Sequence, residues 1–189
     1  MLPIEIVITI VAVLAVIAAA AAIWALLRRR NLRSTFGPEY DRVVAEQDSR
    51  SAAEHELRER ERRHAELNLT PLRAESRSRY AAAWEDVQAQ FVDAPGAAVG
   101  NADELVTRLV AERGYPTGDY AEQVAHLSVE HARTLGRYRD AHEIHLANER
   151  GEASTEQLRQ AVVHYRALFA ELLGEDPVPT PTPTEATTH

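Results

Sequence analysis

Apolar residues fall along this chain in three different rhythms. From Ile6 to Leu27 they are unbroken: the run holds no charge, no Pro and no Gly, and Thr9 is its only hydroxyl. A helix there rises ~1.5 Å per residue and so reaches across a hydrocarbon core of about 30 Å. From Glu39 to Leu67 they are sparse. Tyr40, Val43 and Val44 begin one stripe, and Ala53, Leu57, Arg60, His64 and Leu67 continue another. From Tyr80 onward they recur at helical spacing, as Tyr80, Trp84, Val87 and Phe91, then Ala102, Leu105, Val106, Leu109 and Val110. Tyr120, Val124 and Leu127 follow, then Leu135, Tyr138 and His142, and last Leu158, Val162, Tyr165, Phe169 and Leu172.

The punctuation agrees with helices. Phe36-Gly37-Pro38, Thr70-Pro71, Ala94-Pro95-Gly96 and Gly114-Tyr115-Pro116 break the pattern, and Gly151 and Gly174 stop it. Ser154 with Gln157 forms a capping box, and Asp119 with Glu122 resembles one. No run alternates with period two for long enough to make a strand. The predicted fold is all-α: an N-terminal transmembrane helix, a long charged helix, then a compact bundle of about five helices. The expected divisions are an anchor with juxtamembrane arginines over 1–33, the charged helix over 34–70 and a helical domain over 73–174. A Pro/Thr-rich tail over 175–189 is expected to be extended and mobile.

The charged helix invites two readings. EHELRERERRHAEL places Glu56 before Arg60 and Glu59 before Arg63 at i,i+4, as in a solvated, salt-bridged helix. Such a rod would be ~43 Å long, with too few apolar residues to bury a whole face. Val43, Val44, Leu57 and Leu67 must then pack on the rest of the chain or on a second copy, as a short coiled-coil stalk. Because the apolar positions slip from one stripe to another instead of holding one seam, the sequence favours the first.

Four arginines, Arg28, Arg29, Arg30 and Arg33, follow the apolar run and none precedes it. The positive-inside rule places them in the cytoplasm, with the N-terminus outside and the bulk of the chain inside the plasma membrane. They are also the expected contacts to anionic lipid headgroups, with Trp24 anchored in the interface. The competing reading is a cleaved signal peptide. Its basic n-region is missing and the apolar run is long for an h-region, although Ala18–Ala22 could imitate a cleavage site.

Composition closes several routes. A formal net charge of -8 argues against general nucleic-acid binding. All 21 basic residues are Arg, and there is no Cys. Schiff-base lysines, a P-loop lysine, disulfides and thiolate chemistry are therefore excluded. Eight His remain. His142 and His145, at i,i+3, are the weak candidates for a metal site, with His131 or His164 as a third ligand. Glu61 and His64 have the Glu-x-x-His spacing of di-iron bundles, but only once and on an Arg-rich helix. Ser128 between His126 and His131 is no triad by adjacency alone. Tyr115, Asp119 and Tyr120 could line a small pocket. No cofactor is expected.

FGPEYDR (36–42), RERERR (58–63), RYAAAWEDVQAQFVDAP (79–95), RGYP (113–116), LSVEH (127–131) and YRDAH (138–142) give the chain a second kind of signal. With STEQLRQAVVHYRALFAELL (154–173), these stretches resemble a family of actinobacterial single-pass membrane or secreted proteins of unknown function. That resemblance implies source and architecture and carries no chemistry. The functional expectation is a non-enzymatic membrane-anchored interaction or scaffold module. Its partners would be membrane lipid and another protein or a second copy, in a homodimer. The alternative is a histidine-dependent metal- or small-ligand-binding domain with enzymatic capacity.

Overall fold

The computed structural model describes residues 4–174; the Pro/Thr-rich tail lies outside the described residues. Eight helices make up the regular structure there, and no strand occurs among the described residues. The first, α1 (Ile4–Phe36), runs unbroken from the apolar stretch through all four arginines. It is long and apolar enough to cross a membrane, and its side chains from Ile8 to Leu27 are exposed. Gly37, at φ 45°, ends it, and Pro38 opens α2 (Pro38–Glu46) at the position where a missing N–H costs nothing.

The helix expected as one rod from Glu39 to Leu67 is two. After α2 the chain is extended at Gln47 (φ -98°, ψ 150°), and Ser49 caps α3 (Arg50–Ala65) by accepting from the Ala52 N–H at 3.2 Å. The physical reason is the slip between stripes. Turning at 47–49 folds Tyr40 and Val43 against Ala53 and Leu57, and these close with Leu32 and Phe36 into a small core flanked by Val44 and Val129. Leu32 and Phe36 are fully buried, each contributing ~1.5–3 kcal/mol, so the end of α1 is part of a folded lobe.

The bundle proper is α4 (Ala74–Asp93), α5 (Pro95–Glu112), α6 (Tyr120–Glu130), α7 (Ala132–Glu149) and α8 (Thr155–Leu173). Its main layers are α4 on α5, α5 on α8 and α8 on α7. The predicted stripes supply the core: Trp84, Leu105, Val106, Leu109, Leu135, Tyr138, Leu158, Tyr165, Phe169 and Leu172 are all buried. Ser154 and Gln157 form the expected reciprocal capping box on α8, and Gly174 closes it in the left-handed region. Helix α6 is shared. Val124 and Leu127 face the main core while Val129 packs on the small one.

The segment between α3 and α4 is strapped down. Leu67, Leu69 and Leu72 pack on the main core, and the Thr70 N–H donates to the Arg113 carbonyl at 3.0 Å. Gly114, at φ 97°, permits this approach: a Cβ there would lie 2.7 Å from the Asn68 carbonyl oxygen. The small lobe (end of α1, α2, α3) therefore meets the bundle along α6 and α7, and that seam holds the buried charge.

Candidate functional site: the polar seam between lobe and bundle

Glu39 sits in the first turn of α2, on the same helical face as Val43, and is 4 % exposed. Arg139 of α7 grips both its oxygens, at 2.6 and 2.7 Å, and Arg60 of α3 adds a third contact at 3.2 Å. Arg60 is held in turn by Glu56 at 2.9 Å. One carboxylate thus ties three helices together. Beside it opens a cleft of about 370 Å³, lined by Arg42, Glu46, Arg60, Tyr120, Arg139 and Glu143 among others. Its charges are mixed in sign and largely paired.

A second network crosses the seam nearby. The Tyr115 hydroxyl donates to Glu130 at 3.0 Å and lies 3.2 Å from His131 Nε2. His131 Nδ1 is 3.0 Å from Glu171, whose other oxygen accepts from the Thr134 hydroxyl at 2.6 Å. His64 of α3 joins through Nε2, 3.3 Å from the other Glu130 oxygen, and its ring lies 6.3 Å from that of His126. Burial pushes the Glu130 carboxyl up, but the donors His64 and Tyr115 outweigh it and hold it below the usual range. Glu171 behaves likewise, with burial overcome by His131 and Thr134. Burial drives the Tyr115 phenol well above its ordinary value, and the Glu130 charge adds to this. The same burial lowers His126.

The third cluster lies inside the bundle. Asp103 accepts from the Tyr165 hydroxyl at 2.6 Å and contacts His142 Nδ1 at 3.0 Å. Tyr120 stacks on the His142 ring at 4.1 Å, and burial raises its phenol to about 12. Burial alone would raise Asp103, yet the hydrogen bonds from His142 and Tyr165 leave it lowered. A carboxyl held below its unfolded value of ~3.9 contributes stability above that value and loses it as pH falls through the folded value. The unfolding midpoint of the chain in detergent micelles should therefore fall on acidification from about pH 6 to about pH 3. The slope should be shallower in Asp103→Asn, and an equal slope would remove this carboxyl from the acid response.

The residues singled out in the sequence separate as follows. His142 is committed to Asp103, and His145 sits against Gly100 with Nε2 3.8 Å from Glu149; their ring centres are 6.1 Å apart. Among the described residues no group of three or more His, Asp or Glu is arranged to hold a metal ion. Ser128 is buried and donates to the Ala125 carbonyl at 2.6 Å, which leaves no free nucleophile beside His126 and His131. Asp119 caps α6, Tyr115 is buried in the second network, and only Tyr120 of the RGYPTGDY stretch lines the cleft. Of the proposed partner-facing apolar residues, Val43 and Leu57 are buried in the small core, Val44 flanks it, and Leu67 packs on the main core. They are satisfied within one chain.

The arginines divide too. Arg29 bonds Glu54 of α3 at 2.9 Å, and Arg33 bonds Asp41 of α2 at 3.2 Å, while Tyr40 also donates to Glu54 at 2.9 Å. Arg28 lies over the Trp24 ring at 4.7 Å, and Arg30 is exposed. Two of the four therefore fasten the lobe to α1. Sequence reasoning missed Glu39, Arg139, Glu130 and Glu171. One signal was present, because Arg60 and His64 stand on the stripe of Ala53 and Leu57, and polar residues on an apolar stripe demand buried partners. No family model matches this chain, and comparison with curated proteins and with solved structures gives no match either.

Proposed function

We propose that this chain is a non-catalytic, single-pass membrane module that presents a rigidly attached helical bundle to a protein partner on the cytoplasmic side. The observation that carries the reading is the continuity of α1. Exposed apolar residues up to Leu27 pass without a break into Leu32 and Phe36, which are core residues of the folded lobe. With Arg29–Glu54 and Arg33–Asp41 added, the bundle stands on a stiff post in place of a flexible tether. Arg28 and Arg30 are then the residues that meet anionic headgroups, and Trp24 marks the interface. Val43 and Leu57 are buried in the lobe, so a protein partner or a second copy would be met through other, exposed faces.

A reporter active only outside the cytoplasm, fused after His189, should be silent, and the mature chain should keep its N-terminal residues by intact mass. Reporter activity would overturn the orientation. A chain beginning near Ala22 would replace the span with a cleaved signal sequence. The cleft beside Glu39 and Tyr120 favours a second reading, a small-ligand-binding domain, since its volume is within the range of such sites.

A further inference from the structure

We propose that α3 lies flat on the bilayer surface, where its Arg50 and Arg58 join Arg28 and Arg30 of α1 in one basic foot for the headgroups of anionic phospholipids. This rests on the reading of α1 as a membrane span and holds for either direction of crossing. The level of the surface is set by α1 itself. Leu26 and Leu27, the last residues of the apolar run, are exposed, Arg29 is partly covered, and Leu32 is buried in the lobe. The lobe thus begins where the hydrocarbon must end. Helix α3 is fastened at that level, since Arg29 donates to Glu54 at 2.9 Å.

The direction of α3 follows from a second point of attachment. Arg50, Glu54, Arg58 and Glu61 succeed one another at spacings of three and four and so form one stripe, beside the buried stripe of Ala53 and Leu57. Burial raises the Glu61 carboxyl, and Arg28 and Arg58 stand near enough to pull against it. Glu54 and Glu61 are ~10 Å apart along their helix, whereas Arg28 and Arg29 are separated by one rise of ~1.5 Å. Arg28 is moreover turned back over the Trp24 ring, at 4.7 Å, toward the apolar run. Helix α3 therefore crosses α1 at the height of Arg28 and Arg29 instead of climbing beside it. Its stripe runs along the headgroup layer.

The charges sort in the same way. Of the five arginines on α3, those outside the stripe are paired: Arg60 with Glu39 and Glu56, Arg62 with Glu59, and Arg63 with Glu56. Arg58 gives its Nε–H to the Glu54 carbonyl at 2.6 Å, and neither it nor Arg50 forms an ion pair among the described residues. Glu54 is already occupied by Arg29 and Tyr40. The stripe is thus left with cationic groups to offer, and phosphate is the complement that the adjoining bilayer supplies. Residues 28–66 carry ten Arg against nine Asp and Glu, while residues 67–174 carry eleven against sixteen. An anionic surface consequently attracts the lobe and repels the bundle, which keeps the foot down and the bundle raised.

The chain has no Cys, so single introduced cysteines report single positions. Full-length protein is placed in nanodiscs of phosphatidylcholine and phosphatidylglycerol that include a nickel-chelating lipid. A spin label on Ser51→Cys, next to the stripe, should be relaxed by the headgroup nickel severalfold more than one on Val163→Cys of α8, which packs chiefly on α5 and α7. The preference of the surrounding lipid shell for phosphatidylglycerol, read with spin-labelled lipids, should fall about fivefold for each of Arg50→Gln and Arg58→Gln, the scale of one basic side chain at an anionic surface. Arg50→Lys with Arg58→Lys keeps both charges and should keep the preference. Equal relaxation at Ser51→Cys and Val163→Cys would put the stripe in water, open to an acidic protein, and overturn the proposal. An unchanged preference in the glutamine variants, or an equal loss in the lysine pair, would overturn it too. A label on Ala15→Cys separates these failures from failure of the span. Shielded from a water-soluble relaxant, it confines them to the foot; reached by that relaxant, it takes down the membrane reading and the foot together.

Discussion

Glu39→Ala is expected to destabilise the chain by about 3–5 kcal/mol, the scale for removing one partner of a buried ion pair. The loss comes less from the contacts removed than from what they leave. Arg139, 13 % exposed, has both of its short charge contacts on Glu39, and Arg60, 14 % exposed, would keep only Glu56. Two guanidinium groups would then face each other in a poorly solvated seam. Glu39→Gln keeps the shape and one acceptor oxygen, so it should cost less than the alanine change. The loss should also be local. Amide protection should fall further in α2 and α3 than in α8, because α8 is built into the main core and does not use Glu39. Urea unfolding in micelles and hydrogen exchange would measure the two parts. A change below about 0.5 kcal/mol would place Glu39 in water and leave the lobe held by its apolar contacts alone.

This dependence on pairs far apart in sequence marks the boundary of what the chain's pattern reveals. The helical stripes were legible because burial repeats every three to four residues, and Tyr80, Trp84, Val87, Leu105, Leu109, Leu158 and Tyr165 are core residues as their spacing demands. The caps at Asp119 and Ser154 were legible because they are local. The break at 47–49 was visible only as a slip in register. Reading it as a hairpin needs to know that Tyr40 and Leu57 share a core, which no local rule states. Glu39 and Arg139 are separated by 100 positions, and each looks like an ordinary solvated charge on its own helix. The same holds for His131 and Glu171, 40 positions apart. The pairing of Arg29 with Glu54 and of Arg33 with Asp41 could not be seen in the sequence either, because those carboxylates stand on other helices.

Trp84→Ala is expected to cost about 3–5 kcal/mol, the range for truncating a large aromatic side chain in a core. Trp84 is 5 % exposed and stacks on Phe169 of α8 at 4.7 Å with the planes 27° apart. Tyr80 meets the same Phe169 ring edge-on at 6.4 Å, so the substitution opens a void where α4 leans on α8. A second substitution separates packing from polarity. The Trp84 indole Nε1 is buried with no hydrogen-bond partner among the described residues. An orphaned buried donor carries a desolvation cost of about 1–3 kcal/mol. Trp84→Phe removes that donor and keeps an aromatic face on Phe169, so the volume it loses is partly offset, and it should cost far less than alanine. Both follow from urea midpoints of the full chain. Equal losses for phenylalanine and alanine would mean that Nε1 is satisfied in solution and that the indole is held there by its hydrogen bond as much as by its stack.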